Sequence, residues 1–237
     1  RMSALVDQIA ELHKSGVEII LISSGAVASG RSEIHPQKKL DSVDQRQLFS
    51  AVGQAKLINR YYELFREHGI AVGQVLTTKE NFSTRRHYLN QRNCMRVMLA
   101  NGVLPIVNEN DTVATDEIDL SFSDNDFLSA IVAAIIGADL LVLLSDIDGL
   151  YTDDPNKNKD AKLIPYVERI TDEMLGMAKG PSTDMGTGGM SSKVGAAGIA
   201  NDAGADMVII NGDDMEHINQ LLAGEEIGTL FKAHKTT

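Results

Sequence analysis

Two hydrophobic periods alternate along this chain. In RMSALVDQIAELHKSG, Leu5, Ile9 and Leu12 recur at helical spacing, which predicts an amphipathic helix at the start. VEIILI, residues 17–22, is a mostly apolar run rich in β-branched residues, the texture of a parallel strand buried on both faces. Gly16 ahead of it suits a helix C-cap. SSGAVASG then turns into a helix. DQRQLFSAVGQAKLINRYYELFREHG predicts a long helix with Gly53 as a point of interruption and Gly69 as its end. IAVGQVLTT, residues 70–78, reads as a strand, and residues 83–102 as a helix with Ser83 or Thr84 as N-cap and Gly102 as stop.

The alternation continues to the end. VLPIVN is a strand and NENDTVATDEIDLSFSDND a long polar loop. FLSAIVAAIIGADLLVLL, residues 127–144, has the apolar content of a membrane span, but Gly137, Ala138 and Asp139 divide it into a buried helix, a turn and a buried strand. DIDGLYTDDPNKNKDAKL is loop, by its proline, asparagines and charges. A helix near residues 172–179, a glycine-rich stretch, a helix over 193–203 and the strand MVIIN follow. Strand and helix repeated without long linkers predict an α/β fold, a three-layer αβα sandwich around a mainly parallel sheet. No domain boundary stands out, so residues 1–237 read as a single domain.

Charge and cysteine content narrow the function. A net charge of −11 argues against a basic surface for nucleic acid, while leaving room for a local anion pocket. The single cysteine, Cys94, permits no internal disulfide and suits a reducing, cytoplasmic location; it reads as a small buried residue on a helix. No signal peptide is visible and no membrane association is expected. The six histidines show no metal-ligand spacing, and no metal site is assigned.

In parallel sheets, ligands sit beyond the carboxyl ends of the strands. The residues there carry the chemistry. Ser23, Ser24, Gly25 and Ala26 leave backbone N–H groups accessible at a helix start, which suits an anion. The same residues also fit a tight turn with a serine N-cap. The acidic loop holds Glu109, Asp111, Asp116, Glu117, Asp119, Asp124 and Asp126 without the register of a calcium loop. Asp111 and Asn125 could hold a substrate's ammonium and carboxylate; helix capping and a solvated acidic loop are the alternatives. Ser145 and Asp146 end a buried strand where a nucleotide would lie, or where turn chemistry alone would suffice.

The stretch DMGTGGMSSK, residues 184–193, combines glycines, hydroxyls and a lysine without being a Walker A loop, which needs Gly before Lys and Ser or Thr after it. A helix starting near Met190 puts Lys193 in its first turn, where the helix dipole disfavours a cation by about 0.3–1 kcal/mol. A lysine beside phosphate oxygens has a reason to be there, because its ammonium offsets charge on a transferring phosphoryl group. A flexible glycine turn with an incidental lysine is the plainer reading.

Together, LISSGAVASG, AVGQ, NENDTVATDEI, SDNDFLSA, SDIDGLYTDDP and GTGGMSSKVGAA resemble the amino acid kinase family, in the same order and over essentially the whole chain. Within it they are similar to the branch acting on the side-chain carboxylate of L-glutamate. The resemblance implies transfer of the γ-phosphoryl group of ATP, with Mg²⁺, to give glutamyl 5-phosphate, the opening step of proline biosynthesis. It implies glutamate binding by Ser24, Asp111 and Asn125, and nucleotide contacts from Ser145 and Asp146. By the same resemblance Thr187, Gly188, Gly189, Met190, Ser191, Ser192 and Lys193 cradle the nucleotide. Lys193 would act on the transferred group and Asp126 would position the catalytic lysines.

A homo-oligomer, dimer or tetramer, is implied as well. The family opens with a strand bearing K-x-G-S/T that these residues lack, so that strand is expected upstream of Arg1. Many relatives carry a C-terminal PUA domain, and none is expected here. Sibling kinases acting on N-acetylglutamate, aspartate, carbamate or UMP are the near alternatives. The acidic Asp111 loop favours an acceptor with a free ammonium. A non-catalytic nucleotide-sensing module is the alternative of another class.

Overall fold

A computed structural model describes residues 1–114, 125–178 and 188–234. The predicted first helix is α1 (Met2–Lys14), which buries Val6, Ile9 and Ala10. After it come β1 (Leu21–Ile22), α2 (Ala26–Glu33), α3 (Ser42–Glu67), β2 (Val72–Thr77), α4 (Glu80–Ser83), α5 (Arg85–Ala100) and β3 (Leu104–Glu109). These belong to one compact unit, Met2–Asn125. Among its described residues three strands pair in parallel, in the order β1-β3-β2. α1 and α3 share a core with the sheet, in which Phe65 and Leu104 are fully buried. Each such side chain removed from water contributes about 1.5–3 kcal/mol.

Local signals set the boundaries. Asp41 caps α3 by accepting from the Asp44 N–H at 2.8 Å, and Thr84 caps α5 by accepting from the His87 N–H at 3.3 Å. α3 and α5 both end in a glycine with positive φ, Gly69 at 71° and Gly102 at 70°. At each end two turn-closing bonds form: Gly69 N to Arg66 O and Ile70 N to Phe65 O, Gly102 N to Leu99 O and Val103 N to Met98 O. Glycine adopts that geometry at the least cost, and it delivers the chain into β2 and β3.

Gly53 does not interrupt α3, which runs unbroken from Ser42 to Glu67. A Cβ at Gly53 would collide with the Ala26 carbonyl, and one at Gly30 with the Phe49 carbonyl. The two glycines therefore let the α2 and α3 backbones touch. β1 is shorter than the apolar run suggests. Among the described residues it pairs with β3 alone, and it is half-buried rather than buried on both faces; Val17, at the start of the run, is 40% exposed. Cys94 is exposed, because α5 buries only Met95 and turns the neighbouring face to solvent.

The second unit, Asp126–Thr237 with Arg1, contains α6 (Asp126–Ile136), β4 (Leu140–Ser145), β5 (Tyr166–Val167), α7 (Asp172–Ala178), α8 (Gly188–Asp202), β6 (Asp206–Asn211), α9 (Glu216–Leu222) and β7 (Thr229–Phe231). The sheet order is β4-β6-β7-β5. β4–β6 and β5–β7 are parallel and β6–β7 antiparallel. Ala196, Ala197 and Ala200 of α8 are fully buried in one core with Ala130 and Ala133 of α6. Small side chains there allow the two helices to approach closely. The α/β class and the predominance of parallel pairing match the sequence-based expectation, with the strands hydrogen-bonded in two groups. No described helix is long and apolar enough to cross a membrane.

Candidate active site

In the unit Met2–Asn125, parallel pairing brings the carboxyl ends of β1, β2 and β3 to one edge. Ile22 stands opposite Val107, and Thr77 opposite Glu109. The Ser23 N–H extends the ladder by donating to Val107 O at 2.9 Å. The chain then turns at Gly25, whose φ of 93° occupies the N-cap position of α2 with no side-chain cap bond. The serine N-cap alternative is therefore not what forms. Ser24 lies exposed on that turn and Ser23 is buried.

Asn125 adopts a positive φ of 55° and ties two strand ends together. Its Nδ2 donates to Ser23 O at 2.7 Å and to Asn108 Oδ1 at 3.0 Å. Asn108 Oδ1 also accepts from the Glu109 N–H at 2.8 Å. Asp111 follows β3 by two residues and is 9% exposed. It is held by Arg46 of α3, whose Nε and Nη2 lie 3.0 and 2.6 Å from Asp111 Oδ1. Arg46 Nη2 is also 3.6 Å from Glu109 Oε2. Gln47 and Gln54 of the same helix donate to Thr112 O at 3.0 Å and to Glu109 O at 3.5 Å.

Beneath this edge, Ser23, Gln54, Tyr61, Gln74 and Asn108 line a small cavity. Burial pushes the Tyr61 phenol above its ordinary value, and the nearby Ser23 hydroxyl opposes that rise. Ser23 Oγ nevertheless makes no hydrogen bond of regular geometry, so the opposing effect is the weaker of the two.

In the unit Asp126–Thr237, Asp126 opens α6 and Lys193 lies on α8, both 9% exposed. Lys193 Nζ is 3.2 Å from Asp126 Oδ2 and 3.4 Å from Gly189 O. Ser192 Oγ is 2.8 Å from the same carboxylate oxygen and 3.0 Å from Gly189 O. Its one proton is better spent on the charged acceptor. Because α8 begins at Gly188, Lys193 falls in its second turn, not the first. What accounts for its placement is the buried carboxylate opposite it, rather than a conflict with the helix dipole.

β4 and β6 end side by side, Ser145 opposite Asn211. Ser145 Oγ accepts from the Ile147 N–H and lies 3.3 Å from Asp146 Oδ1, which is exposed. Asn211 Nδ2 donates to Asp148 Oδ1 at 3.0 Å.

Asp126, Ser192 and Lys193 are thus brought together, as are Asn125 and the residue preceding Ser24. Gly189, Met190 and Ser191 lie in the first turn of α8. Among the described residues no hydrogen bond joins Ser145 or Asp146 to the Asp126–Lys193 pair. Thr187, together with Asp116, Glu117, Asp119 and Asp124, lies outside the described residues, and of Gly188 only the helix start is given. Among the described residues no group of three or more His, Cys, Asp or Glu is arranged to hold a metal ion. Sequence reasoning found Asn108 as a strand-end residue but missed Arg46, Gln47 and Gln54 of α3. Their signal was a set of polar residues in the N-terminal half of an otherwise amphipathic helix.

The family model described as "Amino acid kinase family" matches residues 1–211. A glutamate 5-kinase of Bacteroides thetaiotaomicron is 66% identical over 212 residues, covering 90% of this chain and 58% of that protein. A glutamate 5-kinase of Clostridium acetobutylicum is 44% identical over 231 residues, covering 98% of this chain and 86% of that protein. This chain therefore spans little more than half the length of the first of these relatives. Among solved structures, UMP kinase from Bacillus anthracis aligns with a TM-score of 0.61 at 16% identity, covering 97% of this chain and 85% of that one. An isopentenyl phosphate kinase of T. acidophilum aligns with a TM-score of 0.60 at 18% identity, covering 97% and 90%. At such identities the two structures support the fold alone.

Proposed function

The chain belongs to the amino acid kinase family, and from that premise we propose that it phosphorylates the side-chain carboxylate of L-glutamate at the expense of ATP, giving glutamyl 5-phosphate for proline biosynthesis. The observation that carries this reading is the Asp111 carboxylate, fixed by Arg46 at the carboxyl edge of a parallel sheet. It suits an acceptor bearing a free ammonium. The two relatives named glutamate 5-kinase support the same acceptor.

In this reaction a glutamate carboxylate oxygen forms a bond to the γ-phosphorus as the bond to the β,γ-bridging oxygen breaks. ADP leaves with that electron pair. The attacking carboxylate is already ionised at neutral pH, so no general base is needed, and positioning with charge stabilisation carries the step. Lys193, oriented by Asp126, offsets the charge on the transferred phosphoryl group. Ser24, Asp111 and Asn125 hold glutamate. Ser145, Asp146 and the stretch from Thr187 to Ser192 hold the nucleotide. Mg²⁺ would enter with ATP and offset phosphate charge during transfer; among the described residues no group of three or more carboxylates, histidines or cysteines is arranged to hold it. The whole residue range 1–237 acts as one kinase domain within a cytoplasmic homo-oligomer, without nucleic acid or membrane partners.

The test is incubation of the full-length protein with MgATP, L-glutamate and hydroxylamine, which traps an acyl phosphate as a coloured hydroxamate. N-acetylglutamate and aspartate run beside it, with a Lys193→Ala control. Hydroxamate from glutamate alone, lost in the control, is the expected outcome. Turnover of another acceptor instead moves the activity to a sibling kinase, and ATP binding without any turnover points to a sensing module.

A further inference from the structure

We propose that Arg46 is the positioning residue that aims Asp111 at the α-ammonium of the acceptor, and so sets the preference for an amino acid over the same diacid without its amine. This rests on the function proposed above and assigns the specificity of that site to a residue with no counterpart in its expected binding set.

The geometry is asymmetric. An arginine facing a carboxylate usually pairs fork to fork, one N–H group on each oxygen. Here Nε and Nη2 both converge on Oδ1, at 3.0 and 2.6 Å. Oδ2 has no hydrogen-bond partner among the described residues, and the Asp111 side chain keeps 11% exposure. Arg46 thus fixes the rotation of the carboxylate while leaving one oxygen able to accept from a ligand. An ammonium is the group that gains most from a fixed, nearly buried acceptor oxygen.

Arg46 is itself held. Nη2 reaches Glu109 Oε2 at 3.6 Å, and the side chain is only 27% exposed. The neighbouring Gln47 fastens Thr112 O at 3.0 Å, so α3 already anchors the backbone of this loop without Arg46. The loop's attachment and the carboxylate's direction therefore fall to different side chains of the same helical turn. That separation makes the proposal testable against a merely structural role.

The experiment uses the full-length protein and its Arg46→Ala, Arg46→Lys, Asp111→Asn and Arg46→Ala/Asp111→Asn variants. Isothermal titration with L-glutamate and with glutarate, which lacks the amine, is paired with steady-state hydroxamate kinetics. Arg46→Ala is expected to raise the Kd and KM for L-glutamate about 10- to 100-fold, the scale of a lost charge-assisted bond. The KM for ATP and the affinity for glutarate stay within about threefold, because neither depends on the Asp111 direction. Arg46→Lys falls between, since an ammonium supplies the charge but not the planar fork. Once Asp111 is Asn, adding Arg46→Ala has little further effect.

Equal losses for glutamate and glutarate, or an unchanged glutamate affinity in Arg46→Ala, overturn the proposal and leave the reaction standing. A wild-type protein that binds glutamate without forming hydroxamate overturns the reaction, while the titrations still decide the role of Arg46. A wild type that does not bind glutamate at all overturns both.

Discussion

Replacing Lys193 by Met tests whether Lys193 and Asp126 form one buried charge pair. The side chains keep 11% and 9% exposure, with Nζ 3.2 Å from Oδ2. At that separation and an effective dielectric of about 20, their attraction is about 5 kcal/mol, and desolvating two ions costs several kcal/mol in return. The net value of the pair is small, but breaking it is not. Truncating one member of a buried pair typically costs about 3–5 kcal/mol, because the other charge stays buried. Here the Ser192 hydroxyl, 2.8 Å from the same carboxylate oxygen, remains to stabilise it. Lys193→Met is therefore expected to cost less than that range, about 2–3 kcal/mol, or a Tm lower by roughly 4–12 °C in a chain of this size. Asp126→Asn leaves the ammonium uncompensated and is expected to cost a similar amount. The double variant leaves neither charge, so its cost falls short of the sum by about 1.5–3 kcal/mol. Urea unfolding of all four proteins, followed by far-UV circular dichroism, measures the cycle. Additivity within about 0.5 kcal/mol would refute the coupling, and with it the idea that Asp126 orients the lysine.

Gly53→Ala is expected to lower stability by about 1–3 kcal/mol, since the added methyl meets the Ala26 carbonyl of α2; thermal melting checks it, and an unchanged Tm denies the backbone contact. Tyr61→Phe probes alkaline pH. The phenol is raised in the folded state above its ordinary value of 10.0, mainly by burial, so between those two values the folded chain holds more protons than the unfolded one. Stability is then fully present below about pH 10 and is lost as pH rises through the folded value; the Phe variant should flatten that slope in urea titrations at several pH values. Asn125→Asp sets a carboxylate oxygen against the Ser23 carbonyl in place of a donor, and should cost about 1–3 kcal/mol by urea unfolding, while Asn125→Gly keeps the backbone conformation and costs less.

Where burial produces a periodic pattern, the fold was legible from sequence. β3, β4 and β6 fall within a residue or two of their apolar runs, and α5 starts and stops on its predicted cap and glycine. Short elements left no such trace. β5, α9 and β7 are two, seven and three residues long, below the length at which a period can be read. Gly53 was misleading because a mid-helix glycine has two physical meanings, a break or a close approach, and only the partner helix distinguishes them. The glycine run before Lys193 raised the same ambiguity, and reading it as loop displaced the lysine by a turn. The candidate residues were named from different signals: Asp111 and Asn125 from the acidic loop, Lys193 from the glycine-rich stretch and Asp126's role from the family resemblance. The structure brings Lys193 to Asp126 and Asn125 to the ends of β1 and β3. Arg46 was not named, because it lies 65 positions before the carboxylate it holds, and no local pattern encodes that pairing.

The amides at the strand edge restrict what this site can offer a ligand. A carbonyl oxygen only accepts, so Asn125 must turn its Nδ2 toward Ser23 O. Asn108 Oδ1 takes the Glu109 N–H, which fixes that amide too, and leaves it only as an acceptor for the other Asn125 proton. Both Asn125 protons are thereby committed within the protein. Its remaining polar atom, Oδ1, is an acceptor, as is Asp111 Oδ2. Under the proposed reaction the Asn125 and Asp111 side chains therefore address the ammonium of glutamate, and neither side chain supplies a donor to its carboxylates. The donors those carboxylates require would come from backbone N–H groups such as those at the start of α2, where Gly25 has replaced any side-chain cap. A capping serine would have filled that position. The glycine leaves the helix start able to bind an anion.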